Sequence, residues 1–134
     1  MRLLNASTFR LHEFQSAIPR YAILSHTWGD EEVTFDEIGT PEAKNKAGFQ
    51  KIKQCCVQAE SDGLKFAWVD TCCINKASSA ELSEAINSMF QWYRQAHVCY
   101  AYLTDVDNND LNGQPSSTFR SSKWFKVSNK NHLI

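Results

Sequence analysis

Three short segments of this chain crowd together side chains that donate, accept or titrate. They are Ser25-His26-Thr27-Trp28-Gly29-Asp30, Asp70-Thr71-Cys72-Cys73-Ile74-Asn75-Lys76 and Thr104-Asp105-Val106-Asp107. A histidine near carboxylates can hold or pass a proton, and a thiol near a histidine can become a nucleophile. A Cys73–His26 dyad can be drawn on that basis. Cys73 nevertheless reads as packed, because no neighbouring pattern stabilises its thiolate. His26 either meets a ligand or positions the turn through neighbouring backbone. Trp28 either lines a pocket or covers the core, and covering is the commoner use of such a residue. Gly29 is expected to supply a positive φ or a close backbone approach. Asp70 either caps the turn behind it or serves a polar pocket. Lys76 reads as solvated.

Several templates are excluded. There is no Gly-x-Ser-x-Gly elbow, P-loop or Gly-x-Gly-x-x-Gly. The five cysteines, Cys55, Cys56, Cys72, Cys73 and Cys99, form two adjacent pairs and a single, a poor disulfide framework. They read as reduced thiols in a cytoplasmic protein. No Cys-x-x-Cys spacing accompanies His12, His26, His97 and His132, so no metal site is expected.

The elements around these segments suggest how they are held. YAILS, residues 21–25, is a nearly continuous apolar run, as in a strand covered on both faces. LKFAWVD (64–70) and HVCYAYL (97–103) read as two more strands. A helix is expected from Pro41 to Gly63, with Phe49, Ile52, Cys56 and Ala59 on its buried face. A second opens on Ser78 and Glu81, which have capping-box spacing, and carries Leu82, Ile86, Met89, Phe90 and Tyr93 as one apolar stripe. Phe90, Trp92 and Tyr93 are expected to pack this helix. Residues 1–19 are a lead-in with a short strand or hairpin, 29–40 an acidic loop with a few anchors, and the tail shows no clear period. Strands alternating with helices predict an α/β fold: three layers, a mainly parallel sheet and flanking helices. Ligands of such sheets bind beyond the carboxyl ends of the strands, where all three reactive segments fall.

Composition adds limits. The 134 residues suit one domain, 43% apolar and 22% charged. A net charge of −1 implies no basic face, so nucleic acid is not an expected partner. No run approaches a membrane span, and MRLLNASTFRLHEF makes a poor signal peptide.

YAILSHTWGDEEVTF, GFQKIKQCCVQAESDG, GLKFAWVDTCCINK and SAELSEAINSMFQWYRQAHVCYAYLTDV, taken in order, closely resemble the fungal heterokaryon incompatibility (HET) domain over residues 20–125. That resemblance implies a module of fungal nonself recognition and cell death. It also implies a flavodoxin-like fold similar to the Toll/interleukin-1 receptor (TIR) domain. Its partners would be further copies of itself or other death-signalling proteins. Some TIR domains cleave NAD. By that analogy Ser25, His26, Trp28 and Asp30 line a nucleotide pocket, and Asp70, Cys73 and Asn75 complete its floor. No resident cofactor is implied. The family typically continues SRWFTRGWTLQELLAP, whereas here Ser122-Lys123-Trp124-Phe125 runs into KVSNKNHLI. The resemblance thus makes the domain C-terminally truncated and 126–134 a divergent tail, without the segment matching the TIR catalytic glutamate. On that comparison the protein is expected to be weakened or self-associating and not to cleave NAD. An inactive interaction module or gene remnant, and a TIR-like NAD hydrolase, are the alternatives it leaves open.

Overall fold

The computed structural model describes residues 1–102 and the backbone of residues 124–128. Six strands form one sheet in the order β2-β1-β4-β3-β5-β6. They are β1 (Arg2–Asn5), β2 (Leu11–Glu13), β3 (Ala22–His26), β4 (Phe66–Trp68), β5 (Val98–Tyr102) and β6 (Trp124–Ser128). The helices are α1 (Phe49–Ser61), after a 3-10 turn at Pro41–Asn45, and α2 (Ser79–Gln95).

The three central strands are parallel: β3 pairs with β4 on one side and with β5 on the other. This is the part of the sheet expected from YAILS, LKFAWVD and HVCYAYL. The outer pairs are antiparallel, β1 with β2 and β4, and β6 with β5. The lead-in therefore forms a hairpin within the same sheet. The tail, which showed no period, contributes the edge strand β6.

The crossover directions decide where the helices go. The link from β3 to β4 moves one way along the sheet, and the link from β4 to β5 returns past β3. Right-handed crossovers running in opposite directions place their helices on opposite faces. Accordingly Lys51 of α1 reaches His26, while Trp92 of α2 accepts from the Tyr21 hydroxyl at 2.6 Å. Tyr21, extended just before β3, and His26 at its end differ in parity, so they project from opposite faces.

The expected first helix is two pieces. Lys46 and Gly48 interrupt it, and Phe49, Ile52, Cys55, Cys56 and Ala59 then bury one face of α1. Gly63 closes it with φ +82°, a conformation suited to glycine. Ser78 caps α2 by accepting from the Glu81 amide at 3.2 Å. The Glu81 carboxylate does not complete the capping box. It accepts from the Asn75 amide and pairs with Arg2.

The apolar stripe of α2 needs correction. Ala85 is buried and Leu82, Met89, Trp92 and Tyr93 pack on the core, but Ile86 and Phe90 are 63% and 68% exposed. At about 100° per residue, Phe90 lies roughly a third of a turn from the line through Ala85 and Met89 that meets the sheet. Beneath α2, Trp68 is fully buried and meets Trp92 edge-on, with ring centroids 5.5 Å apart.

Candidate functional site at the carboxyl rim

β3 and β4 are neighbours whose following segments lead to opposite faces, so a crevice opens between their carboxyl ends. His26 ends β3 there, and Asp70 lies two residues beyond β4. The His26 side chain is 1% exposed, and its Nε2 lies 2.8 Å from Asp70 Oδ1. Asp70 Oδ2 accepts from Trp28 Nε1 at 3.1 Å. Lys76 is exposed, as expected of a solvated lysine, yet its side chain turns toward this group. Its ammonium donates to the Asp70 carbonyl and stands 4.8 Å from the Trp28 ring centroid.

A buried ion pair supports this group from the α1 side. Lys51 and Glu32 have side chains only 7% and 8% exposed and meet at 2.7 Å. Lys51 Nζ also donates to the Thr27 carbonyl at 3.0 Å and lies 2.9 Å from His26 Nδ1. The three ammonium protons thus have three acceptors. Nδ1 also lies 3.2 Å from the Thr27 carbonyl, but that oxygen already accepts from Lys51. An ammonium paired with a carboxylate can only donate, so toward the shorter Lys51 contact Nδ1 presents its lone pair. The ring proton is then on Nε2, directed at Asp70. Glu32 Oε2 further accepts from the Gly29 amide at 2.5 Å.

Gly48 brings the acidic loop against α1. Its amide donates to the Glu31 carbonyl at 2.7 Å. A Cβ at Gly48 would stand 2.4 Å from that oxygen and 2.9 Å from Glu32 Cα. These are backbone atoms, so the loop itself would have to move. Gly48→Ala is expected to cost about 1–3 kcal/mol, measured by urea unfolding. A cost near zero would mean that the approach is not tight. Gly29, by contrast, is absent from the positive-φ residues, and its Cβ would meet only Glu32 Oε2 at 3.6 Å. The close approach expected at Gly29 is made by Gly48.

Burial opposes ionisation of Asp70, but hydrogen bonds from His26 and Trp28, with the charge of Lys76, hold its pKa below the ordinary 3.8. A carboxyl lowered on folding stabilises the native state above its unfolded pKa. That contribution is lost as pH falls below 3.8 and through the native value. Asp70→Asn is therefore expected to flatten this part of the acid unfolding curve. An unchanged curve would show that Asp70 is not held in this way.

Around Trp28, a cleft of about 220 Å³ is lined by Glu32, Phe35, Thr71, Asn75 and Lys76 among others. Thr71 Oγ1 and Glu32 Oε1 are buried and find no hydrogen-bond partner among the described residues. The volume lies below the ~300 Å³ at which pockets for drug-sized ligands begin.

The structure brings His26, Trp28 and Asp70 together, with the Gly29 backbone beside them. Asn75 lines the cleft, and its Oδ1 accepts from the Ala77 amide at 3.2 Å. Asp30 is exposed and borders an adjoining hollow of about 170 Å³. Ser25 alternates to the α2 face and bonds the Tyr93 side chain. Cys73 is buried with its sulfur accepting from the Val69 amide at 3.3 Å, and both His26 nitrogens are engaged elsewhere. Burial pushes Cys56 up to about 12 and Cys99 to about 11. Thr104–Asp107 lies outside the described residues. Sequence reasoning missed Lys51 and Glu32. The signal for Lys51 was available: it precedes Cys55 by four residues, on the buried face of α1. Glu32 carried none, being one of two adjacent glutamates in an acidic run.

A parallel sheet core with helices on both faces and a His–Asp crevice at its switch point defines a doubly wound α/β module. The sequence matches the family model described as Heterokaryon incompatibility protein (HET) over residues 21–133. It is also 56% identical over 114 residues to vegetative incompatibility protein HET-E-1 of Podospora anserina, covering 81% of this chain and 8% of that relative. The chain belongs to the heterokaryon incompatibility family. No solved structure matches it. No helix among the described residues is long and apolar enough to cross a membrane.

Proposed function

We propose that this chain is a nonself-recognition module that triggers cell death from the cytoplasm of a fungal cell, and that the His26–Asp70–Trp28 crevice is the part it needs to act. The name of HET-E-1, an incompatibility protein, supports the first half. One observation carries the second. The His26 side chain is buried between Lys51 and Asp70, and the same Asp70 carboxylate holds a Trp28 that is 52% exposed. Buried charged groups are often no better for stability than apolar ones of the same shape. Their concentration at the rim where doubly wound sheets take ligands favours use over packing. The 134-residue chain, expressed in a fungal cell, is expected to arrest growth. His26→Ala and Asp70→Ala should abolish that arrest while circular dichroism shows the fold retained. Arrest by both variants at the wild-type level would overturn the reading.

A further inference from the structure

The cleft around Trp28 contains a polar group that the fold leaves unanswered. Thr71 lines it and is 3% exposed, and its hydroxyl has no partner among the described residues. Buried hydroxyls are seldom left in that state, and each such case calls for an explanation. Two further donors line the same cleft. Asn75 uses its Oδ1 to accept from the Ala77 amide, which leaves its Nδ2 protons for another acceptor. Lys76 gives one ammonium proton to the Asp70 carbonyl and has two more. The Trp28 and Phe35 rings supply apolar wall. Each ring carries a cation, Lys76 at 4.8 Å from the Trp28 centroid and Arg2 at 4.8 Å from that of Phe35.

We propose that this cleft binds a small aromatic carboxylate, its ring against Trp28 and Phe35 and its carboxylate against Thr71, Asn75 and Lys76. An ionised carboxylate is an acceptor only, and its two oxygens can take all three donors. The bond from Lys76 is charge-assisted, the stronger kind. The charge of the ligand follows from the charges around it. Glu32 also lines the cleft, but Lys51 neutralises it. Asp36 lines it too, and the Asp70 carboxylate holds Trp28 from behind. With those two carboxylates close by, one ammonium can offset a monoanion but not a phosphate dianion. A volume of about 220 Å³ suits a small ligand. The ligand would meet the crevice through Trp28, whose Nε1 donates to Asp70. This inference gives the proposed His26–Asp70–Trp28 crevice a ligand class, and it rests on that reading for its biological use.

Benzoate is the probe. The ¹⁵N-labelled 134-residue chain is titrated with it while the Trp28 indole N–H signal, identified by its loss in Trp28→Phe, is followed. A saturable shift is expected, with a Kd of about 1 mM or tighter. Thr71→Val and Lys76→Met should each weaken binding at least about fivefold, the scale of one lost hydrogen bond. Lys76→Arg should keep most of it, since the charge stays. Thr71→Val should melt no lower than the wild type, because it removes a buried hydroxyl without a partner. Benzamide, which has the same ring and no charge, should bind at least about fivefold more weakly than benzoate, and so should phenyl phosphate. No saturable shift up to about 10 mM, binding unmoved by Thr71→Val, or equal binding of benzamide or phenyl phosphate would overturn the proposal. These measurements use purified protein and no growth arrest. The ligand class can therefore fail while the roles of His26 and Asp70 stand, and benzoate can bind even where those variants still arrest growth.

Discussion

Lys51→Met is expected to destabilise the protein by about 3–5 kcal/mol, the cost of leaving a buried charge without its partner. The stranded group is Glu32, whose Oε1 already lacks a partner among the described residues. The same change removes the donor to His26 Nδ1 and to the Thr27 carbonyl. Urea unfolding measures the loss. Lys51→Met combined with Glu32→Leu should recover much of it, because the pair then leaves together. A single-variant cost under about 1 kcal/mol would mean that the pair behaves as a solvated surface contact. It would also remove the support proposed for His26.

Trp68→Ala should be comparably severe, at about 3–5 kcal/mol. Trp68 is fully buried, its backbone is paired with Ile23 in the parallel part of the sheet, and its ring meets Trp92 and Tyr93 of α2. Its Nε1 has no acceptor among the described residues. Trp68→Phe therefore loses volume but also removes an unsatisfied donor, so it should cost clearly less than Trp68→Ala. Equal costs would show that ring volume is not what holds α2 to β4. Thermal and urea melts of the two variants make the comparison. Because Asp70 follows only two residues later, Trp68→Ala should also shift the backbone that aims it at His26.

How much of this was legible in the sequence depended on the local strength of the signal. Continuous apolar runs marked β3, β4 and β5, because strands covered on both faces cannot afford polar alternation. Ser78 and Gly63 marked helix ends, since a cap and a left-handed residue are local requirements. The edge strands were less legible. β2 and β6 each pair on one side only, and their sequences follow tertiary context more than pattern. The split before α1 was hidden because the helical spacing continues through Lys46–Gly48 while the backbone there serves the acidic loop. At the rim, His26 and Asp70 could be placed by topology alone. The partners that fix them could not. Lys51 and Glu32 come from a helix and a loop whose meeting depends on the absence of a side chain at Gly48. Ser25 shows the opposite case, a neighbour in sequence that strand alternation sends to the other face.

The account turns on His26 being held in one form between two opposed partners. Long-range ¹H–¹⁵N correlation spectra of the imidazole, recorded near neutral pH on the ¹⁵N-labelled chain, report which nitrogen carries the proton. The geometry predicts a protonated Nε2 facing Asp70 and an unprotonated Nδ1 receiving Lys51. A proton on Nδ1, or rapid averaging of the two nitrogens, would contradict it.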